Sequence, residues 1–314
     1  MVINMHISVL LQESIAALNL KEDGIYVDAT LGYAGHSSEI LKRVRRGCLF
    51  AFDQDSEAIN FSKNKLSSIG NNYEIIKSNF CNLKEELEKR NVTKVDGILF
   101  DLGVSSPQLD EKERGFSYHL DARLDMRMNT EQELSAYEVV NSYDEAKLAK
   151  IFFEYGEEKY SKSIARAIVK ARAEKKIETT LELVEIIKSA MPEKAKRDKH
   201  PARKVFQAIR IEVNNELEVL KQALNQALDI VDVGGRVVVI TFHSLEDRAV
   251  KNAMVDLQGK CTCPSELPYC VCNYESWGKI INKKPIIATQ EEQERNSRAK
   301  SAKVRVFERL DKNT

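Results

Sequence analysis

The sequence lacks the features of a membrane or secreted protein. Among its 314 residues no apolar run approaches the length of about 18 that a membrane-spanning helix needs. Residues 1–6 carry neither the basic flank nor the cleavage pattern of a secretory signal. We therefore expect a cytoplasmic protein that makes no membrane contact. In that compartment its 6 cysteines should be reduced.

The sequence also lacks an excess of either charge. Its 48 Lys and Arg residues balance its 48 Asp and Glu residues, so the formal net charge is zero. Affinity for an acidic polymer must then come from local basic patches. Two basic runs offer such patches, one within residues 194–204 and one within residues 295–305.

The sequence also lacks the glycine motif of dinucleotide-binding proteins after its first predicted strand. An apolar run at 25–29 contains Asp28 and leads through Gly32 and Gly35 into a helical stretch. A strand that turns through glycine into a helix brings backbone N–H groups to the place where α/β sheets bind nucleotides. The turn is Gly-x-x-Gly and not Gly-x-Gly-x-x-Gly, which disfavours a dinucleotide. Because Asp28 suits a cation, the turn fits S-adenosylmethionine (SAM) better than NAD.

Strand and helix patterns alternate over the first hundred residues. Further strands are predicted at 48–53, 73–77 and 95–100, and Asp55 and Ser56 should cap a helix that runs to about residue 67. This rhythm is typical of a doubly wound, Rossmann-like parallel sheet of the α/β class. Strand patterns return at 234–242 and at 303–307, where the alternation suits an edge or antiparallel strand.

Helical patterns occupy the interval from about 110 to 205. A stripe of apolar residues at spacings of three and four then predicts one helix from Val205 to Leu228. We therefore predict a helical insertion into one sheet domain. The core should comprise residues 1–112 and 206–314, and the insertion residues 113–205.

Polar and aromatic residues follow the predicted strands where a site would form. Asp53 ends the second strand and is placed to bind ribose hydroxyls, while Phe80 after the third could pack on adenine or in the core. Asp101 ends the fourth strand, where the acceptor of a SAM-dependent transferase meets the methyl group.

One class of acceptor is an exocyclic base amine. Such an amine is a poor nucleophile and needs hydrogen-bond acceptors on its N–H groups. The candidates for this catalytic task are Asp101, Ser105, Ser106 and Pro107, with Gln108 beside them.

Several motifs together resemble the RsmH (MraW) family over residues 6–306. They are Asp28-Ala29-Thr30-Leu31-Gly32, Asp101-Leu102-Gly103-Val104-Ser105-Ser106-Pro107-Gln108, Arg114-Gly115-Phe116-Ser117, Leu124-Asp125-Met126-Arg127-Met128, Tyr155-Gly156-Glu157-Glu158, Phe206-Gln207-Ala208-Ile209-Arg210 and Phe242-His243-Ser244-Leu245-Glu246-Asp247. The resemblance implies a SAM-dependent methyltransferase that modifies the N4 amine of a decoding-centre cytidine in small-subunit (16S) ribosomal RNA. The RNA partner would be the free RNA or the assembled 30S subunit.

The resemblance also implies particular cofactor contacts. They are Ala34, Gly35, His36, Asp53, Phe80, Asp101 and Gln108. The family usually has glycine at position 34, and we expect an ordinary φ for the alanine found here. Ser8 stands where many members have proline.

Within such an enzyme the basic runs are candidate phosphate contacts. The predicted RNA-binding residues are Lys196, Arg197, Lys199, Arg203, His243 and Arg298. Ser244 and Asp247 have the spacing of a capping box and are predicted to start the helix after the fifth strand.

Alternatives remain open at this point. Four cysteines at 261, 263, 270 and 272 could hold zinc, but Cys-x-Cys strains a tetrahedral site, and we predict no metal. The enzymatic alternative is an amino-methyltransferase for DNA or another RNA. A non-catalytic RNA-binding module that retains a SAM pocket is the alternative from another class.

Overall fold

The computed structural model describes residues 8–104, 111–196, 200–259, 263–264, 267, 272 and 275–311. The chain divides into two compact units. The sheet unit comprises Met1–Gly103 and Leu217–Thr314, and the helical unit comprises Val104–Glu216. The insertion was predicted to span residues 113–205, so the observed helical unit extends further at both ends.

The sheet unit contains eight strands in the described part of the chain. They are β1 (Ile25–Asp28), β2 (Cys48–Asp53), β3 (Tyr73–Lys77), β4 (Val95–Asp101), β5 (Val231–Thr241), β6 (Gly278–Ile280), β7 (Ile286–Ile287) and β8 (Lys303–Arg309). Their order is β3-β2-β1-β4-β5-β8-β6, and β7 also pairs with β8. The first five strands run parallel, and β8 runs antiparallel to its neighbours. The last predicted strand is therefore antiparallel but does not form the edge.

The strand order reverses between β1 and β4, which places a ligand-binding crevice at the carboxyl ends of these two strands. Alternate residues of each strand enter apolar clusters on opposite faces of the sheet. In β2, Leu49 and Ala51 join one cluster, while Phe50 and Phe52 join the other. Both faces are therefore covered, as a parallel sheet requires. The predicted doubly wound, Rossmann-like α/β class with a helical insertion is confirmed.

Twelve helices are described outside short 3-10 turns. They are α1 (Leu11–Leu18), α2 (Gly35–Arg43), α3 (Ser56–Ser67), α4 (Leu83–Glu88), α5 (Ala136–Ser142), α6 (Glu145–Glu154), α7 (Ser161–Glu174), α8 (Thr180–Ser189), α9 (Arg203–Asn214), α10 (Glu216–Ile230), α11 (Ser244–Gln258) and α12 (Gln290–Arg295). The predicted cap of α3 is confirmed, because the Asp55 carboxylate accepts the Glu57 N–H at 3.0 Å. None of the described helices is long and apolar enough to cross a membrane.

The single helix predicted from Val205 to Leu228 is wrong. The structure has α9 and α10 instead, separated at Asn215, which adopts a left-handed backbone with φ 50°. Asparagine tolerates this conformation better than most residues. The apolar spacing continues across the break, so periodicity alone does not reveal it.

Candidate functional site

The turn after β1 carries the predicted glycines into α2. Asp28, the last residue of β1, is buried, and both of its carboxylate oxygens accept hydrogen bonds from this turn. Oδ1 accepts the Thr30 N–H at 3.1 Å, and Oδ2 accepts the Ser37 hydroxyl at 2.6 Å. Burial raises the pKa of Asp28 above its usual range. Asp28 therefore ties β1 to the first turn of α2 and places a carboxyl group beneath the glycine turn.

Asp53 closes the same turn from the end of β2. Its Oδ2 accepts the Gly32 N–H at 2.8 Å, and its Oδ1 accepts the Asp55 N–H at 2.9 Å. Gly32 has φ 47°, a conformation that favours glycine. Burial raises the pKa of Asp53 to about 6. Each oxygen has a second lone pair, so Asp53 can fix the turn and still accept a ribose hydroxyl.

The expectation of an ordinary backbone at Ala34 is wrong. Ala34 has φ 55° and ψ 39°, which costs a non-glycine residue about 1–2 kcal/mol. Its surroundings impose this conformation, because its N–H donates to the Leu31 carbonyl at 2.8 Å and its carbonyl accepts the Ser38 N–H at 3.2 Å. Gly35 has no room for a side chain, since a Cβ there would lie 1.7 Å from Ser8 Oγ.

Asp101 ends β4 beside this turn. Its backbone N–H donates to Thr30 Oγ1 at 2.7 Å, and its Oδ2 lies 3.5 Å from His36 Nδ1. Its Oδ1 is buried and has no hydrogen-bond partner among the described residues. The structure thus brings the predicted residues Asp101 and His36 together. The Asp101 side chain is 23% exposed, so a ligand can reach a carboxyl group that has an unused acceptor.

Three carboxyl groups crowd this end of the sheet. The pKa of Asp101 is raised well above its ordinary value of 3.8, first by burial and then by the negative charges of Asp28 and Glu246. Glu246 is itself buried and accepts the Phe242 N–H at 2.8 Å. A bound cation would favour the ionised carboxyls. These residues therefore fit the positively charged sulfonium of SAM and disfavour an anionic pyrophosphate.

Phe80 lies at the start of a 3-10 turn, Phe80–Asn82, that follows β3. Its ring packs edge-on against the buried Phe100, with centroids 5.7 Å apart and planes at 84°. Asn79 fixes the turn, because its side chain accepts the Cys81 N–H at 3.0 Å. Phe80 is only partly buried, so packing against the core leaves part of its ring accessible to an adenine.

The predicted RNA-binding residues fall in different settings. Arg203 is exposed in the first turn of α9, and Arg298 is half-buried in the 3-10 turn Ser297–Lys300. Lys196 ends the 3-10 turn Glu193–Lys196. Arg197 and Lys199 lie outside the described residues, so the first basic run stays a prediction.

His243 caps α11 and is largely enclosed, with 9% of its side chain exposed. Its ring accepts the Glu246 N–H at 3.4 Å, and the Glu246 carboxylate accepts the His243 N–H at 3.3 Å. The prediction that Ser244 and Asp247 form the capping box is therefore wrong by one residue. Histidine is an unusual cap, which explains why the sequence pattern pointed to the neighbouring serine.

Asp247 has a different role within the sheet unit. Its carboxylate binds Lys303 Nζ at 2.9 Å and Arg305 Nε at 2.6 Å. Arg305 is buried. The basic run within residues 295–305 is therefore not one exposed face, because part of it serves to hold β8 against α11.

Several predicted residues lie outside the described part of the chain. Ser105, Ser106, Pro107 and Gln108 are among them, so the loop that should orient the amine stays a prediction. The zinc alternative is also untested, since Cys261 and Cys270 are not described.

Three residues of the site were not predicted from the sequence: Thr30, Ser37 and Glu246. Thr30 and Ser37 flank the glycine turn, and hydroxyls so close to Asp28 along the chain were a usable signal. Glu246 could have been found from its capping-box spacing to His243, had histidine been considered as a cap. All three act by fixing or charging the residues already proposed for the site.

Comparison with known proteins shows similarity over nearly the whole chain. The model of the MraW methylase family matches residues 4–310. Ribosomal RNA small subunit methyltransferase H of Clostridioides difficile is 55% identical over 307 residues, which are 97% of this chain and 99% of that protein. The protein of the same name from Exiguobacterium sibiricum is 55% identical over 306 residues, 97% of this chain and 98% of its own. A solved rRNA methylase from Streptococcus thermophilus covers 95% of this chain and 93% of its own, at 12% identity and a TM-score of 0.40.

Proposed function

The chain belongs to the MraW methylase family, and from that premise we propose that it methylates the N4 amine of a cytidine in the decoding region of 16S ribosomal RNA. SAM is the cofactor of this methylase family. The names of the relatives support small-subunit ribosomal RNA as the substrate class. The choice of an amine on cytidine rests on the site chemistry and on the motifs of the sequence.

The observation that supports an amine as the methyl acceptor is the environment of Asp101. Its Oδ1 has no partner among the described residues and 23% of its side chain is exposed, so the carboxyl group can accept an N–H of the substrate amine. Such a hydrogen bond localises the nitrogen lone pair, which is otherwise delocalised into the ring. Bound SAM supplies the electrophilic methyl group. The nucleobase must be unstacked to reach it.

The carboxyl groups also match the charge that develops during transfer. Methylation makes the amine nitrogen positive, and Asp101 with its neighbours Asp28 and Glu246 provides negative charge to stabilise it. The raised pKa of Asp101 makes its ionised form a stronger base than an ordinary carboxylate. We assign to the Asp101 carboxylate the proton that the methylated amine releases.

The remaining parts of the chain have supporting roles in this proposal. Asp53 and the glycine turn hold the cofactor, and the loop Ser105, Ser106, Pro107 and Gln108 orients the amine. The helical unit grips the RNA, with Arg203 and the basic run beside it as phosphate contacts. The enzyme would act in the cytoplasm on the RNA or the 30S subunit.

Nucleoside mass spectrometry tests the proposal. The purified protein, SAM and 30S subunits from cells that lack the enzyme should yield N4-methylcytidine in 16S RNA. Methylation at another atom, or of DNA in place of RNA, would contradict the amine assignment or the substrate. A protein that binds RNA and SAM without any product would support the non-catalytic alternative.

A further inference from the structure

The helical unit contains a cluster of aromatic and imidazole rings that no part of the proposed chemistry uses. Tyr118 stacks on His200, with centroids 4.5 Å apart and planes at 20°. His119 packs against both rings, at 4.5 Å from Tyr118 and 5.1 Å from His200. Phe206 supports Tyr118 from below in an edge-on contact at 5.7 Å. We call Tyr118, His119 and His200 the ring platform.

The platform is held by the backbone around it. Thr180 Oγ1 donates to the Leu120 carbonyl at 2.6 Å and accepts the Ala122 N–H at 3.0 Å, which fixes the segment that carries Tyr118 and His119. His200 Nδ1 accepts the Ala202 N–H at 3.3 Å, which orients its ring. The rings are therefore preorganised, although their segment belongs to neither a helix nor a strand.

The platform is open to solvent on one side. His119 is exposed, Tyr118 and His200 are half-buried, and Leu120 beside them is 39% exposed. Burial and the nearby His119 and Lys188 lower the pKa of His200, which favours an uncharged, stacking imidazole near neutral pH. An exposed cluster of rings beside an exposed leucine is apolar surface of the kind that binds a partner.

Two cations of the same unit lie near His200: Arg203, and Lys188, which pairs with Glu185 at 2.8 Å. The Arg203 N–H donates to the His200 carbonyl at 3.1 Å, so the exposed Arg203 belongs to the same turn as the stacked imidazole. Lys194 is exposed in the 3-10 turn that precedes this segment. Rings on which bases stack, next to cations that contact phosphates, are the combination that binds single-stranded nucleic acid.

We propose that the ring platform stacks an unpaired base of the substrate RNA, distinct from the cytidine that is methylated. This proposal rests on the proposed function, in which RNA is the substrate, and assigns a further base-binding site to the helical unit. Neither Tyr118, His119 nor His200 belongs to the residues assigned to the cofactor or the amine. The platform would therefore contribute RNA affinity and register rather than chemistry.

The test uses His119, because its exposed ring can be removed with little effect on the core. A synthetic single-stranded oligoribonucleotide of the decoding region would carry the fluorescent base 2-aminopurine at successive positions. Binding to the wild type should quench the fluorescence at one position. His119→Ala should abolish that quenching and weaken RNA binding about 5- to 150-fold, the range for one stacked base. His119→Phe, which keeps a ring, should preserve both.

Phe153→Ala is the matched control. Phe153 is 65% exposed on α6 of the same unit and lies outside the platform, so its loss should leave RNA affinity and quenching unchanged. SAM affinity should be the same in all variants. RNA affinity of His119→Ala equal to that of the wild type would overturn the proposal. So would a loss that appears only at pH 6 and that His119→Phe does not rescue, since that pattern indicates charge and not stacking.

The platform and the proposed reaction fail in different ways. If the wild type forms N4-methylcytidine but RNA binding is insensitive to His119→Ala, only the platform is refuted. If the wild type shows ring-dependent quenching but forms no N4-methylcytidine, the platform is supported and the proposed reaction is refuted.

Discussion

Asp101→Asn separates the charge of the carboxyl at the end of β4 from its shape. The amide keeps an oxygen that can accept a hydrogen bond, but it cannot carry negative charge or take a proton. If Asp101 acts on the amine, methyl transfer in a single turnover at saturating SAM should slow by about 10²–10⁴, the usual contribution of a positioned base. SAM affinity should change by less than about tenfold, because Asp53 and the glycine turn remain.

The same substitution should have the opposite effect on stability. The pKa of Asp101 is raised in the folded protein by burial, Asp28 and Glu246, so the folded protein keeps its proton after the unfolded chain has released it. The resulting stabilisation of the protonated form is complete below pH 3.8 and is lost as pH rises through the folded pKa. Each tenfold difference in acidity contributes about 1.4 kcal/mol. Asp101→Asn removes this dependence, so its free energy of unfolding should exceed that of the wild type at pH 8.

Three measurements decide between the roles of Asp101. They are single-turnover methylation of RNA, calorimetry with SAM, and urea unfolding at pH 5 and pH 8. Asp96→Asn is the matched control, because Asp96 lies near the other end of β4 and pairs with Lys21 at 2.7 Å. Turnover of Asp101→Asn near the wild-type rate would refute the catalytic role. An unchanged pH dependence of unfolding would refute the raised pKa.

Three further substitutions test the glycine turn. Asp53→Ala should weaken SAM binding by about 1.5–3 kcal/mol, the scale of a hydrogen bond to a charged group. Asp55→Ala, which removes the cap of α3 and a negative charge near Asp53, should weaken it by less. Because the pKa of Asp53 is about 6, SAM affinity measured by calorimetry should rise as pH increases through that value. Gly35→Ala should destabilise the protein by about 1–3 kcal/mol through collision with Ser8, and adding Ser8→Gly should recover much of the loss in urea unfolding. Ala34→Gly should change the free energy of unfolding by less than about 1 kcal/mol. Glycine relieves about 1–2 kcal/mol of backbone strain, but the variant loses a buried methyl group and its unfolded chain is more flexible. A loss above about 2 kcal/mol would contradict the left-handed conformation.

Six of the eight described strands were predictable because their apolar runs are short and separated by turns, whereas β6 and β7, with three and two residues, are too short to show a pattern. β3 was predicted with the observed bounds, and the alternation in β8 was predicted to suit an edge or antiparallel strand, of which the second is observed. The break at Asn215 was not predictable from periodicity, because a single residue with φ 50° leaves the apolar spacing intact. The spacing of the surrounding apolar residues therefore does not reveal the backbone conformation of a single residue.

Ala34 shows the same limit within the site. Alanine prefers an ordinary helical backbone, so the residue type at position 34 favoured a negative φ. The hydrogen bonds with Leu31 and Ser38 impose φ 55° instead. The residues of the site could be placed at strand ends from the sequence, but their partners could not. That Asp53 binds the Gly32 N–H is a contact between residues 21 positions apart, which depends on the packing of β1 against β2.

Transfer of the methyl group changes the charge balance of the site, and this has a consequence for product release. In the proposed reaction, bound SAM would bring a positive sulfonium to a site that contains the ionised Asp101, and after transfer the thioether product and the protonated Asp101 would both be neutral. Glu246 is buried, and its negative charge raises the pKa of Asp101. The same charge should favour binding of the cationic SAM over binding of the neutral demethylated product. We therefore expect Glu246→Gln to reduce the ratio of SAM to product affinity about fivefold, which corresponds to about 1 kcal/mol of charge interaction. Asp247→Asn, a neighbouring acid already paired with Lys303, should leave the ratio unchanged. Equal ratios in the wild type and Glu246→Gln, measured by calorimetry, would show that Glu246 acts only as a helix cap.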